Sequence, residues 1–94
     1  MQKVSTTKIK LYIPTANDQF YAGCMKYGRD ADGILRVSKT KWTPECKYDM
    51  YATHDKKKAE DLLAGILKYD SSKGIKYNIA IVSIDTKVKV NIDY

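Results

Sequence analysis

The sequence predicts a small α+β domain, in which an antiparallel sheet of four to five strands carries one main helix on one face. Two observations point to this class. Apolar and polar residues alternate near both ends of the chain, as in half-buried strands, and apolar residues recur at helical spacing between them. Because the chain has only 94 residues, we expect a single domain over residues 1–94, with the element order β-β-β-α-β-β.

The first strand is predicted over residues 8–13. Three apolar residues, Ile9, Leu11 and Ile13, alternate there with polar or aromatic residues, so they are expected to face the core. Pro14 is expected to end this strand.

The next two strands are predicted over residues 20–27 and 34–39. Residues 28–33 separate them and contain aspartates and glycines, which suit the backbone angles of a turn. This pattern therefore predicts that the two strands form a hairpin with a long loop and a glycine bulge. The Asp-x-Asp-Gly sequence of this loop is interpreted as a turn, because no glutamate follows to close a calcium-binding loop.

Residues 42–52 carry short local signals. Thr43 can cap a turn and Pro44 fits the first position of a helix, which predicts a helical turn over residues 44–47. A short strand is predicted over residues 50–52.

The main helix is predicted over residues 55–69, with Asp55 as its N-cap. Gly74 is expected to mark its end a few residues further on. One apolar stripe is expected to face the sheet, and it consists of Ala59, Leu62, Leu63, Ile66 and Leu67.

The last part of the chain predicts two strands, over residues 75–84 and 87–92. The first of them is apolar on both faces toward its end, which indicates a central strand. Residues 83–86 link the two strands as a hairpin, or else the segment is one long bent strand. An exposed edge over residues 87–92 offers a way for two copies to pair as a homodimer.

The composition excludes several classes of protein. Seventeen basic and eleven acidic residues give a net charge of +6, which excludes an acidic nucleic-acid mimic and suits a polyanionic or acidic partner. No apolar run approaches the roughly 18–20 residues of a membrane span, and no signal peptide is expected. Cys24 and Cys46 are interpreted as free thiols of a cytoplasmic protein, with a single disulfide or a metal pair as alternatives.

No catalytic motif stands out. The glycines match no phosphate-binding loop, and neither HExxH nor CxxC occurs. His54, the only histidine, is interpreted as a solvated loop or capping residue; the alternative is an acid–base role in a metal-free nuclease. We therefore predict a protein that is not an enzyme and uses no cofactor or metal.

Basic and aromatic side chains are the candidate binding residues. Lys56, Lys57 and Lys58 begin the main helix, where they and the backbone N–H groups are expected to form an anion site, or else a solvated helix start. Trp42 is a candidate interface anchor or, alternatively, a core residue. Basic and aromatic residues of the strands are expected to share one sheet face suited to single-stranded nucleic acid: Lys8, Lys10, Tyr12, Arg36, Lys87 and Lys89.

The segment over residues 42–63 resembles a pattern found in small bacteriophage proteins. In that pattern a Trp-Thr turn precedes a short strand and a capped helix, here Trp42-Thr43, Met50-Tyr51-Ala52 and Asp55-Lys56-Lys57-Lys58-Ala59-Glu60-Asp61-Leu62-Leu63. The preceding hairpin is similar as well, so the resemblance covers about half of the chain. It implies a protein directed at the host, which inhibits a defence system or redirects a host enzyme by stoichiometric binding.

We therefore expect a non-catalytic binding protein of bacteriophage type that inhibits or modulates a host protein or nucleoprotein complex, such as a defence complex. Its contact surface is expected to be an exposed sheet face, or the loop from Trp42 to His54 together with the helix start. The alternative is a sequence-independent binder of single-stranded nucleic acid. In both cases we expect it to act in the cytoplasm, without membrane contact.

Overall fold

The computed structural model describes residues 8–85 and 90–93 and confirms the α+β class. Two strands and one short helix are present beyond the predicted element order. The elements are β1 (Lys8–Ala16), β2 (Gln19–Tyr21), β3 (Met25–Arg29), β4 (Leu35–Ser38), β5 (Trp42–Thr43), α1 (Tyr48–Tyr51), α2 (Lys56–Tyr69), β6 (Tyr77–Asp85) and β7 (Val90–Asp93).

Five strands form the main antiparallel sheet, in the order β5-β2-β1-β6-β7. The longest ladder joins β1 to β6, from Lys8 opposite Asp85 to Ala16 opposite Tyr77. Because β6 also pairs with β7, the prediction of a central strand is confirmed. The prediction of a link over residues 83–86 is wrong for residues 83–85, which belong to β6, and Thr86 lies outside the described residues.

Pro14 does not end β1, and the reason lies in the direction of the backbone groups. Tyr12 exchanges both of its backbone hydrogen bonds with Thr53, at 2.7 and 2.9 Å. Residues two apart in a strand direct their amide groups toward the same edge. The missing N–H of Pro14 therefore lies on the Thr53 side, away from the ladder to Ile79, where it costs no hydrogen bond with β6.

The predicted strand over residues 20–27 is in fact two strands in two sheets. Gly23, with φ of +116°, breaks the extended backbone between β2 and β3. As a result β2 joins the main sheet, whereas β3 pairs with β4 in a separate two-stranded sheet, the hairpin sheet. The predicted hairpin is confirmed for β3 and β4, including an irregularity in register between Lys26 and Arg29.

The segment between β4 and α2 differs from its prediction. Trp42 and Thr43 form strand β5, and α1 covers residues where a short strand was expected. Met50 and Tyr51 donate their backbone N–H groups to the Lys47 carbonyl, which closes a single helical turn. Ala52, the last residue of the predicted strand, has an extended backbone, and the next residue, Thr53, forms an isolated bridge with Tyr12 of β1.

Helix α2 confirms the main helix, and Asp55 caps it by accepting the Lys57 N–H at 2.9 Å. Ile66 is fully buried, as predicted, but Leu67 is 49% exposed. The hairpin sheet explains this difference, because the Leu35 backbone lies directly against Gly65. The helix therefore buries its Gly65 side against β4 as well as its Ile66 side against the main sheet, and Leu67 is left facing solvent.

The buried apolar core draws on both sheets and on α2. It consists of Leu11, Ile13, Phe20, Tyr21, Val37, Ile66, Ala80 and Val82. None of the helices in the described ranges is long and apolar enough to cross a membrane.

Candidate functional site

A groove of about 680 Å³ lies between the hairpin sheet, α1 and the first half of α2. We call it the hairpin–helix groove. Clefts that bind ligands generally have volumes of about 300–1,000 Å³, so its size is suited to a ligand or a segment of a partner. The side chains that give it its chemical character are Lys26, Arg29, Met50, Tyr51, Lys58 and Asp61.

One wall of the groove is fixed by a two-pronged ion pair between β3 and α2. Arg29 donates from its two terminal nitrogens to the two carboxylate oxygens of Asp61, at 2.8 and 2.7 Å. A further N–H group of Arg29 reaches the Gly33 carbonyl at 2.9 Å. These contacts hold the pKa of Asp61 below its ordinary value, chiefly through the hydrogen bond from Arg29.

A second contact holds the tip of the hairpin to the far end of α2. The Asp30 carboxylate accepts from the Lys68 ammonium and from the Tyr69 hydroxyl, each at 2.5 Å. It also accepts the backbone N–H groups of Asp32 and Ile34 at 2.9 Å. The pKa of Asp30 lies well below its ordinary range. The hydrogen bond from Lys68 is the largest cause of this lowering, and the hydrogen bond from Tyr69 is the second largest. With Arg29 and Asp61, this contact joins the hairpin sheet to α2 at two places.

The net charge of the groove is positive. Asp61 is neutralised by Arg29, whereas neither Lys26 nor Lys58 forms an ion pair with any residue in the described ranges. Both lysines are exposed. Two ammonium groups therefore line the groove without a carboxylate of the described residues at ion-pair distance, which favours an acidic ligand.

The opposite wall carries an exposed thioether beside a packed aromatic cluster. Met50 is 66% exposed. The neighbouring Tyr51 ring lies edge-on to Tyr21, with 5.7 Å between the ring centroids. Tyr21 donates its hydroxyl hydrogen to the Cys24 thiol at 3.1 Å, and burial raises the pKa of this tyrosine. The floor near Tyr21 is thus preformed, while Met50 remains available to a partner.

The described residues of the groove contain no recognisable catalytic arrangement. Cys24 has a phenol, Tyr21, as its hydrogen-bond partner, which is not a general base at neutral pH. No hydrogen bond joins His54 to another side chain in the described ranges, and its neighbour Asp55 is engaged as the helix cap. No group of three or more potential metal ligands occurs among the residues that the structure describes.

Two of the three lysines at the start of α2, Lys56 and Lys58, face different depressions rather than one shared anion site. Lys58 lines the hairpin–helix groove, whereas Lys56 lines a different depression. Successive helical residues are about 100° apart around the axis, which separates the side chains. The backbone part of the predicted site is occupied as well, because Asp55 accepts the N–H groups of Lys57, Lys58 and Ala59.

The second depression, of about 440 Å³, contains part of the predicted basic and aromatic face. Tyr12 of β1 and Lys56 of α2 lie along it together with Glu60. Lys10, two residues before Tyr12 in β1, is exposed. We call this depression the sheet–helix groove.

The remaining members of the predicted face do not join it. Arg36 is exposed on β4 and therefore belongs to the hairpin sheet rather than to the main sheet, so the prediction of one common face is wrong for this residue. Lys87, Lys89 and the side chain of Lys8 lie outside the described residues.

Trp42 and His54 have different surroundings. Trp42 is half-buried against the core, with its ring 5.8 Å from that of Tyr77 and 6.2 Å from that of Tyr21, measured between centroids. This favours the core alternative over an exposed anchor. His54 is exposed in the turn between Thr53 and α2.

Several groove residues were not singled out by sequence reasoning. Lys26 could have been singled out from the sequence, because it is a basic residue between Met25 and Tyr27 in a predicted strand. In the structure, all residues of this strand are exposed. Arg29 and Asp61 gave no comparable signal, because they are 32 residues apart and meet only in the fold.

No protein family, curated protein or solved structure matches this chain. The geometry of the groove and the chemistry of its side chains therefore carry any inference about function.

Proposed function

We propose that this chain is a small, non-catalytic binding protein of bacteriophage type, which inhibits or modulates a host protein or nucleoprotein complex by stoichiometric binding. The hairpin–helix groove contacts an acidic surface of that partner in the host cytoplasm. The observation that carries the proposal is the position of two lysines without carboxylate partners, Lys26 and Lys58, around one groove that also holds the exposed Met50.

The composition of the groove supports a protein partner. Methionine, tyrosine and arginine are enriched at the centre of protein interfaces, and charged groups at the rim accelerate and orient association. Met50 and Tyr51 supply the apolar and aromatic contact, while Lys26 and Lys58 supply the charge. Binding to such a surface needs no reacting group, which agrees with stoichiometric action.

The contacts between the hairpin sheet and α2 support the same proposal. The Arg29–Asp61 pair and the Asp30–Lys68 pair tie the hairpin sheet to α2 at two points along the helix. A surface that is already ordered loses less conformational entropy when it binds. The groove is therefore suited to tight association with one partner.

The test is a pull-down from bacterial lysate, with and without nuclease treatment. The double variant Lys26→Glu/Lys58→Glu reverses the charge of the groove. Its matched control, Lys73→Glu/Lys76→Glu, makes the same change in net charge at exposed positions after the end of α2. Both variants are checked for folding by circular dichroism before use.

We expect a discrete protein partner that survives nuclease treatment, is lost in the groove variant and is retained by the control. Equal capture by the wild type and the folded groove variant would exclude the groove as the contact surface. Loss of all partners on nuclease treatment would favour nucleic-acid binding instead.

A second candidate function is supported by the sheet–helix groove. Tyr12 and Lys56 both line this groove, together with Glu60, and a ring and an ammonium group in one groove can hold a base and its phosphate in single-stranded nucleic acid. Such binding weakens steeply with salt. Titration of a fluorescent oligothymidine at increasing salt tests it: a flat salt dependence, or unchanged affinity in Tyr12→Ala, would exclude this function.

A further inference from the structure

Strand β3 has a free edge on one side of the hairpin–helix groove. The hairpin sheet has only two strands within the described residues, and β4 is the neighbour of β3 on one side. All five residues of β3 are exposed. The backbone N–H and C=O groups of its outer edge therefore lack a partner strand in this part of the chain, and such an edge can accept an added strand. The irregularity between Lys26 and Arg29, where Gly28 has a φ of +95°, interrupts the extended backbone, so an added strand pairs with only part of β3 in a regular ladder.

The edge of β4 is closed in contrast to that of β3. The Leu35 carbonyl of β4 lies so close to Gly65 of α2 that a Cβ atom at this glycine would approach it to 2.4 Å. No further strand can enter between β4 and the helix. The hairpin sheet can therefore grow in one direction only, outward from β3.

The charge along β3 selects among strands that could pair with it. Lys26 and Arg29 belong to β3, and Lys58 lines the same groove from α2, whereas Asp61 is the one carboxylate among the described residues that line it. Opposite charges on neighbouring strands stabilise their pairing, whereas like charges destabilise it. A second copy pairing through β3 would place Lys26 and Arg29 near their own equivalents, so self-association at this edge is disfavoured.

We infer that the partner contributes an acidic, extended segment that adds to the free edge of β3 as the third strand of the hairpin sheet. The backbone of the segment forms hydrogen bonds with β3, and its acidic side chains on one face reach Lys26 and Lys58. Met50 contacts apolar side chains of the segment at the opening of the groove. This inference rests on the proposed function, and it specifies the conformation and charge of the partner segment.

The first part of the test uses three synthetic peptides and full-length protein labelled with ¹⁵N. One peptide alternates glutamate with threonine, which favours an extended conformation. The second has the same sequence with N-methyl groups on alternate amides, so it keeps the charge but loses backbone donors. The third alternates lysine with threonine.

We expect the glutamate peptide to bind, to slow hydrogen exchange of the amides of residues 25–29, and to bind about tenfold more tightly than its N-methylated form, which lacks backbone hydrogen bonds. The lysine peptide is expected not to bind the wild type. In the Lys26→Glu/Lys58→Glu variant the preference for charge should reverse, which a misfolded variant could not show.

Equal affinity of the glutamate peptide and its N-methylated form would overturn strand addition, because it would show recognition of charge alone. Failure of both acidic peptides to bind would overturn it as well. In either case the proposed function is judged separately, by partner capture from lysate with the groove variant and with nuclease treatment.

Discussion

The contact between Gly65 and Leu35 gives the sharpest prediction about the architecture that builds the groove. An ideal Cβ atom at Gly65 lies 2.4 Å from the Leu35 carbonyl oxygen and 3.3 Å from its Cβ atom. Real Cβ contacts shorter than 3.0 Å are essentially never observed, so Gly65→Ala must move β4 away from α2 by at least 0.6 Å along that direction. The obstructing atom is backbone, so rotation of a side chain cannot relieve the clash.

Two effects of opposite sign determine the size of the change in stability. Replacing a glycine by alanine within a helix ordinarily stabilises it by about 1 kcal/mol. Overpacking of a tight contact costs about 1–3 kcal/mol, and the cost lies at the upper end where backbone must move. We therefore expect Gly65→Ala to lower the free energy of unfolding by about 1–2 kcal/mol. For a domain of this size Tm should fall by about 4–8 °C per kcal/mol.

The assay is urea and thermal unfolding followed by far-UV circular dichroism. Leu35→Ala in the Gly65→Ala background serves as a control, and it should not restore stability because the Leu35 carbonyl remains. A Gly65→Ala variant that is about 1 kcal/mol more stable than the wild type, as helix propensity alone would give, would refute the close approach of β4 to α2.

Three further predictions test the core, the hairpin contact and a thiol. Ile66→Ala should cost about 2–5 kcal/mol because Ile66 is fully buried, whereas Leu67→Ala should cost less than about 1 kcal/mol since Leu67 faces solvent; similar urea midpoints for the two variants would contradict the helix orientation. Asp30 has a lowered pKa in the folded state, so its stabilising contribution is present above the unfolded-state pKa of about 4 and is lost as the pH falls below it. Urea midpoints of Asp30→Asn should therefore be lower than those of the wild type at neutral pH and converge with them in acid; a constant difference would contradict the Asp30–Lys68 contact. Burial raises the pKa of Cys46, so in a Cys24→Ser variant this thiol should react with Ellman's reagent more slowly at pH 8 than in the urea-unfolded chain, and equal rates would show that it is not buried.

The regular elements with strong local signals could be predicted from the sequence. The Asp55 cap and the apolar spacing located α2, because both depend on residues within a few positions of one another. Alternation located β1 and β6 for the same reason. The break at Gly23 could not be predicted in the same way as α2, β1 and β6, because a glycine within a strand pattern is compatible with a bulge, a bend or a change of sheet.

The candidate site was less accessible to sequence reasoning than the fold. Lys58 was singled out, but as part of a run with Lys56 and Lys57 that helical geometry distributes over different surfaces. Arg29 and Asp61, which line the groove, join β3 to α2 across 32 residues of sequence. Contacts between residues so far apart in sequence depend on how the hairpin sheet packs, which no local pattern contains.

The binding groove is tested most directly by titrating the captured partner, once purified, into the wild type, Lys26→Glu/Lys58→Glu and Lys73→Glu/Lys76→Glu in a calorimeter. We predict saturation at a fixed stoichiometry for the wild type and the control. The groove variant should bind at least about tenfold more weakly, because reversed charges now face an acidic surface. Equal affinity of all three folded proteins would contradict a role for the hairpin–helix groove in binding.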